Sequence, residues 1–313
     1  MILFNNEIKK SDVPYSITIK NLRKFLDKKE PKLTYLFARF TNTLQNSITY
    51  PQLRQALLRG GMDNATFDQW TEEYSKFVVD DLYPEWKEAM DTSAQALRDK
   101  YPTYLFDPNT PAVRQWATER AAELIVSITA QQRASVNVMM QRAAVIQDVS
   151  VDQFAMIIRP IIGLYPRQAT ANLNYFEHVK NTLLESNKHM KVETATKRAT
   201  EASIKYSERQ NRYRASMVAR TELCASFNYG EFHAVKQAQE QGLMGHSVKE
   251  WVTAGDERVC PVCKALDGTQ IEMDGDWEMK TNWDKKAPPA HPHCRCVLVY
   301  RELSPPVITA EEG

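Results

Sequence analysis

The sequence predicts a mainly α protein, an elongated helical bundle carrying a small C-terminal α+β module stabilised by zinc. Three observations lead there. Only 10 glycines occur in 313 residues, about half the usual share. Apolar residues recur at three- and four-residue steps through long stretches rich in Ala, Leu, Gln, Arg and Glu. Four of the five cysteines fall between 260 and 296, where metal ligation explains them better than a disulfide framework spread through a small secreted domain.

In chain order, Leu22, Phe25, Leu26, Leu33, Leu36, Phe37 and Phe40, then Phe67, Trp70, Tyr74, Phe77 and Val78, give the first hundred residues a helical spacing. Pro102, Asp107, Pro108, Asn109 and Pro111 interrupt it, so residues 1–105 are expected to form an N-terminal helical region with a boundary near 102–110. Pro111 suits a first helical position, and Val113, Trp116, Leu124, Ile128, Val136, Met139 and Met140 extend one amphipathic helix over roughly 110–147. Ser150 and Gln153 make a capping-box pair ahead of Phe154, Ile157 and Ile158, and Pro160 and Gly163 limit that helix to about ten residues. Pro166 opens the next helix through Leu173, Phe176 and Leu183, and another spans roughly 190–241, so residues 106–242 are expected to form the bundle.

The texture changes after Gly242. Val248 to Val252 has strand character around Trp251, glycines and aspartates punctuate 255–276, and Cys296 to Tyr300 is a β-branched run. Residues 243–303 are therefore expected to form the zinc-binding α+β module, and 304–313 a flexible tail. A formal charge of +1 excludes a general attraction of the whole chain to nucleic acid or membrane, so any such affinity must be local. The first residues show no apolar targeting core, and no stretch approaches the length of a membrane span, so a cytosolic, soluble protein is expected.

The chemistry concentrates in Cys260-Pro-Val-Cys263, followed after 27 residues by His291-Pro-His-Cys294-Arg-Cys296. A two-residue gap lets both thiolates turn onto one ion, and Cys260, Cys263, His291 and Cys294 would make a closed tetrahedral Cys₃His shell for structural Zn²⁺. Disulfides, or free thiols present by accident of composition, are the alternatives. Cys296 or His293 stands as a substitute ligand, on the expectation that only one cysteine of Cys-Arg-Cys points inward. A zinc deaminase needs Pro-Cys-x-x-Cys preceded by His-x-Glu, and neither is present. A nuclease built on the His/Cys segment remains the enzymatic alternative, although it requires a helix after Cys296 carrying a further ligand.

Other residues divide between structural and functional expectations. Arg220 and Glu222, on the helix leading to the module, are candidates for a structural link, with Thr221 merely tolerated between them. Asp256, Arg258 and Arg295 are candidates for supporting the metal ligands from behind. Cys224 reads as a buried apolar thiol. Between Lys188 and Arg220, nine basic side chains face three glutamates. Lys197, Arg198, Lys205, Arg209, Arg212 and Arg214 there make the best candidate for a surface facing DNA or a protein partner.

Together, Arg220-Thr221-Glu222, Asn228, Gly230, Trp251, Asp256, Arg258, Cys260, Cys263, Leu266-Asp267-Gly268, Pro288-Pro289, His291 and Cys294-Arg295-Cys296 resemble the phage head morphogenesis proteins similar to Mu protein F. The resemblance extends more weakly upstream through Gly163-Leu164, Gln168-Ala169 and Asn174, covering about 150–301. In that family the second cysteine of Cys-Arg-Cys varies more freely, which favours Cys294 over Cys296. The resemblance implies a non-enzymatic minor capsid protein, inside the capsid near the portal and in the host cytoplasm during assembly. Its implied partners are the portal and the major capsid or scaffolding protein, with possible nonspecific contact to packaged double-stranded DNA, and it implies a role in head morphogenesis, packaging or ejection.

Overall fold

The computed structural model describes residues 12–143, 149–279 and 285–306. Its elements are α1 (Asp12–Ser47), α2 (Tyr50–Arg59), α3 (Asn64–Phe77), a π turn (Val78–Leu82), α4 (Tyr83–Ser93), α5 (Gln95–Lys100), α6 (Pro111–Ala143), α7 (Val151–Ile158) with a 3₁₀ turn (Arg159–Ile161), α8 (Pro166–Ser186), α9 (Val192–Glu240), β1 (Ser247–Val252), α10 (Pro261–Leu266), β2 (Gln270–Glu272) and β3 (Val297–Glu302). No helix among the described residues is long and apolar enough to cross a membrane. Helix α6 starts at Pro111 as expected. The last residues of the expected helix, 144–148, lie outside the described residues.

The chain forms two compact units, and neither follows the expected division at 105 and 242. One comprises 31–84 and 115–219; the other gathers 1–30, 85–114 and 220–313. The expectation failed because helical spacing reveals which faces need cover without revealing what covers them. Phe25 of α1 finds Phe227 of α9, with ring centroids 5.5 Å apart. Thus α1 packs with the C-terminal part of α9, while Trp70 of α3 is buried with Phe154 and Phe176.

The all-helical unit is built by local signals that agree with its packing. Ser150 accepts from Gln153 N at 3.2 Å while the Gln153 side chain accepts from Ser150 N at 3.0 Å, so the expected capping box starts α7. Thr49 and Gln52 make the same reciprocal pair at α2. Leu53, Trp70, Met139, Phe154, Ile157, Ile158, Leu173 and Phe176 form the core, each such side chain worth roughly 1.5–3 kcal/mol on burial. Two of the polar side chains drawn inside are paired there: Trp70 Nε1 donates to Ser47 Oγ at 3.0 Å, and Asn172 Nδ2 donates to Ser203 O at 3.1 Å.

The other unit places an antiparallel sheet, of order β2-β1-β3, with the C-terminal part of α9. Lys249 pairs with both Ile271 and Tyr300, and Trp251 with Leu298. Period-two alternation therefore puts Ser247, Lys249 and Trp251 on one face. Lys249 is fully buried, donating to Lys286 O at 2.9 Å and lying over the Phe232 and Trp277 rings at 5.3 and 5.0 Å. A cation so placed keeps a hydrogen bond and two aromatic faces in exchange for water. The spacing predicted β1 and β3 closely; it missed β2 and α10, which are too short for periodicity to register. Ser304, expected to open the tail, is packed: its N bonds His246 O at 3.4 Å and a Cβ on Gly245 would lie 1.9 Å from Ser304 O, while residues 307–313 of the expected tail lie outside the described residues.

Gly230 shows why α9 needs a glycine within its buried length. A Cβ there would stand 2.3 Å from Met90 Cα and 2.5 Å from Ser93 Oγ, so α4 and α9 approach closely only without a side chain. Gly230→Ala should therefore lower stability by about 1–3 kcal/mol through overpacking, despite alanine's better helix propensity. Chemical denaturation followed by circular dichroism checks this, and an unchanged or raised midpoint would contradict the packing argument.

Candidate metal centre

The centre is assembled on three supports: the turn into α10, the segment before β3, and one face of α9. Cys260 caps α10, its sulfur accepting from Cys263 N at 3.3 Å, so a single tight turn brings both thiols of the first pair together. Pro261 at the first helical position gives up no ladder bond there. Downstream, Asp267 Oδ1 accepts from Thr253 N at 2.9 Å, and Gly268, at φ 79°, donates from its N to Trp251 O at 2.8 Å. The left-handed turn at Gly268 returns the chain to β2 and suits a residue without Cβ. Leu266-Asp267-Gly268 is thus the joint between α10 and the sheet.

His291 Nε2 lies 3.1 Å from Cys260 Sγ and 3.3 Å from Cys263 Sγ, and Cys263 Sγ lies 3.8 Å from Cys294 Sγ. His291 Nδ1 stands 2.7 Å from Pro292 O; since a carbonyl only accepts, that bond puts the proton on Nδ1 and leaves the Nε2 lone pair toward the sulfurs. A tetrahedral zinc shell with Zn–S near 2.3 Å has S···S edges of about 3.8 Å, so the donor types and the Cys263–Cys294 edge fit that ion. Two triplets have ligand atoms mutually within 4.8 Å: Cys260, Cys263 and His291, and Cys263, Cys294 and Cys296. Cys263 is shared, so a fourth donor for such an ion would come from the second triplet.

The expectation that only one cysteine of Cys-Arg-Cys points inward is overturned. Residues two apart in an extended segment share a face, so Cys294 and Cys296 both turn toward Cys263 while Arg295 turns away. Cys294 is the better anion of the two. Its thiol is held well below its ordinary range because Cys263 and Cys296 donate to it, with the backbone N–H groups of Cys296 and Ala290 adding to the effect. The same sharing pushes Cys263 up. His293 belongs to neither triplet. It adopts φ 61°, its N donates to Thr221 Oγ1 at 3.1 Å, and burial followed by the Arg220 charge lowers its pKa.

Behind the thiols, Arg295 forks onto Asp256 with both contacts at 2.7 Å. Arg258 N adds a bond to Asp256 at 3.1 Å, and the Arg258 guanidinium lies 3.3 Å from the same carboxylate. The Arg295 hydrogen bond is the main cause that holds the Asp256 carboxyl far below its usual range. Arg23 of α1 joins them, 3.8 Å from Asp256 and donating to Ala254 O at 3.0 Å. Arg220 makes its own fork, to Glu30 at 2.7 and 3.0 Å, while Glu222 is buried in α9. A contact to the histidine segment also comes from Thr221, the residue expected to be only tolerated.

Sequence reasoning also gave Asn228 and Cys224 no part in the centre. Asn228 Nδ2 donates to Cys224 O at 2.9 Å and to Cys296 O at 3.2 Å, and its Oδ1 accepts from Leu298 N at 3.1 Å. Cys224 is fully buried beside Cys296 O, and burial raises its thiol. Their spacing from Thr221, three and seven residues on, was the available signal, since those positions share one helical face. The basic candidates divide: Lys197, Arg198, Lys205, Arg209 and Arg212 are exposed on α9, whereas Arg214 is only 6% exposed and stacks on the Tyr165 ring at 4.2 Å. Arg214 is therefore not part of a DNA-facing surface. Its helical phase places it with Ala215 and Val218, against the core.

Residues 177–299 match the family model described as Phage Mu protein F like protein. No curated protein and no solved structure matches the chain. The matched segment begins inside α8 and ends within β3, so it holds all the ligand candidates together with Thr221, Asn228 and Asp256. It is shorter than the expected 150–301, and the Gly163, Gln168 and Asn174 resemblances lie upstream of it.

Because the folded-state pKa of Asp256 is depressed, its stabilising contribution is present above about pH 4 and is lost as pH falls through the folded value. Asp256→Asn should therefore destabilise the protein at neutral pH and flatten the acid limb of its stability profile. Urea midpoints followed by tryptophan fluorescence between pH 3 and 7 would show this. Parallel profiles for the two proteins would mean that the Arg295 fork contributes nothing.

Proposed function

We propose that this chain is a phage head morphogenesis protein, a minor capsid component whose C-terminal module folds on one zinc ion and which associates with the portal. The carrying observation is that the segment matching the Mu protein F like family is the one that gathers Cys260, Cys263, His291 and Cys294 with their supports. Cys263 and Cys294 lie in a packed core with Trp251, Trp277 and Leu298, and Cys260 lies beside it, which suits a structural ion. Such an ion, when bound, would add folding free energy on the order of 10 kcal/mol. A nuclease has less support: β3, not a helix, follows Cys296, and His293 lies by Arg220 and Glu30. By this reading the protein works inside the capsid near the portal, after assembly in the host cytoplasm with portal, major capsid or scaffolding protein.

Two measurements test the proposal. Elemental analysis of the full-length protein should give one zinc per chain, lost in Cys263→Ser, with Cys294→Ser costing more zinc than Cys296→Ser; zinc retained by Cys263→Ser would overturn the site. Co-purification with the portal from infected or co-expressing cells should show association, and its failure with both portal and procapsid would overturn the assignment.

Packaged DNA is the further partner proposed for the exposed basic residues of α9. Nonspecific duplex binding should weaken steeply between 50 and 200 mM salt and fall further in a Lys205→Ala/Arg209→Ala variant. Salt-insensitive binding would defeat that part of the proposal.

A further inference from the structure

Within the all-helical unit, a cavity of about 30 Å³ is lined by Phe37, Phe40, Ile128, Val218, Gln132 and Arg214 among others. No aspartate or glutamate lines it. Arg214 is 6% exposed and Gln132 3%, and Arg214 Nε, Arg214 Nη2 and Gln132 Nε2 are each buried with no hydrogen-bond partner among the described residues. The Tyr165 ring covers one face of the guanidinium and leaves its edge donors unanswered. Asn211, also on the wall, already gives an amide hydrogen to Pro160 O at 2.8 Å.

Arginine cannot relieve such a position by losing its proton, as a buried lysine does, and its guanidinium offers five donors and no acceptor. A buried cation without a counter-charge costs several kcal/mol. By the same measure of volume, one water needs about 10–15 Å³, so this space suits a small ion. We propose that the cavity binds a small monovalent inorganic anion of chloride's size, held by Arg214 Nε and Nη2 and Gln132 Nε2. The anion completes the charge balance of the helical core, independently of the metal centre and of the assignment to phage heads.

The test uses chloride itself. The chloride-35 NMR line of a sodium chloride solution should broaden on addition of full-length protein, and bromide should compete the broadening away. Arg214→Met, close in volume and without charge, should lose the effect, while Lys205→Ala/Arg209→Ala on the exposed face should keep it. If Arg214→Met does not fold, Gln132→Met reads the same site through a marked loss of broadening. Equal linewidths for wild type and Arg214→Met would overturn the proposal, as they would if water alone satisfied the guanidinium. Broadening lost only in the Lys205/Arg209 variant would overturn it too.

Discussion

The arrangement of the C-terminal module depends on one buried amide. Asn228, fully enclosed in α9, spends its side-chain donors on the carbonyls of Cys224 and Cys296 and its acceptor on Leu298 N. Each bond adds about 1 kcal/mol net, but an unpaired buried partner costs more, so only one register of the Cys-Arg-Cys segment on the helix satisfies all of them. Thr221, Cys224 and Asn228 stand at i, i+3 and i+7, and each touches the segment between His293 and Leu298. A stripe of small polar residues on one helix thus fixes where two thiols arrive, and the CxxC turn of α10 meets them from the other side.

Charge is handled with the same economy of position. The extended geometry that turns Cys294 and Cys296 toward Cys263 turns Arg295 the other way, onto Asp256. Thiolates within 4.8 Å of one another repel, and without a cation only a fraction of them can ionise. The raised Cys263 and lowered Cys294 express that conflict, because each thiol's hydrogen bond to the other favours ionising one of them at a time. A divalent ion would remove it, and the Arg295–Asp256 fork would then hold the segment without competing for the sulfurs, as hydrogen bonds behind metal ligands commonly do.

Much of this was legible in the residues. Capping boxes, Pro111 and Pro166 at helix starts, and apolar spacing located the helices because these are local signals. Likewise the CxxC pair and the His-x-x-Cys run pointed to side chains that the fold brings together, since ligand chemistry admits few side chains. Long-range partners were not legible. Nothing within a few residues of Glu30 announces Arg220, and nothing near Arg23 announces Asp256, so the division into units came out differently. The alternation of Cys-Arg-Cys was available from strand geometry alone, and the expectation of a single inward cysteine ran against it.

Helix α9 shows how a charge pattern misleads when the helix is long. Its basic run included Arg214 and Arg220, and both are used internally, one stacked on Tyr165 and the other forked to Glu30. The exposed remainder from Lys188 to Arg212 is seven basic residues against three glutamates, a net charge of +4 where the sequence stretch suggested +6. Lys197, Glu201 and Lys205, like Glu208 and Arg212, also fall four apart, so opposite charges neighbour one another along that face and soften its field. A duplex drawn there would feel attraction that salt readily screens and that carries no sequence information.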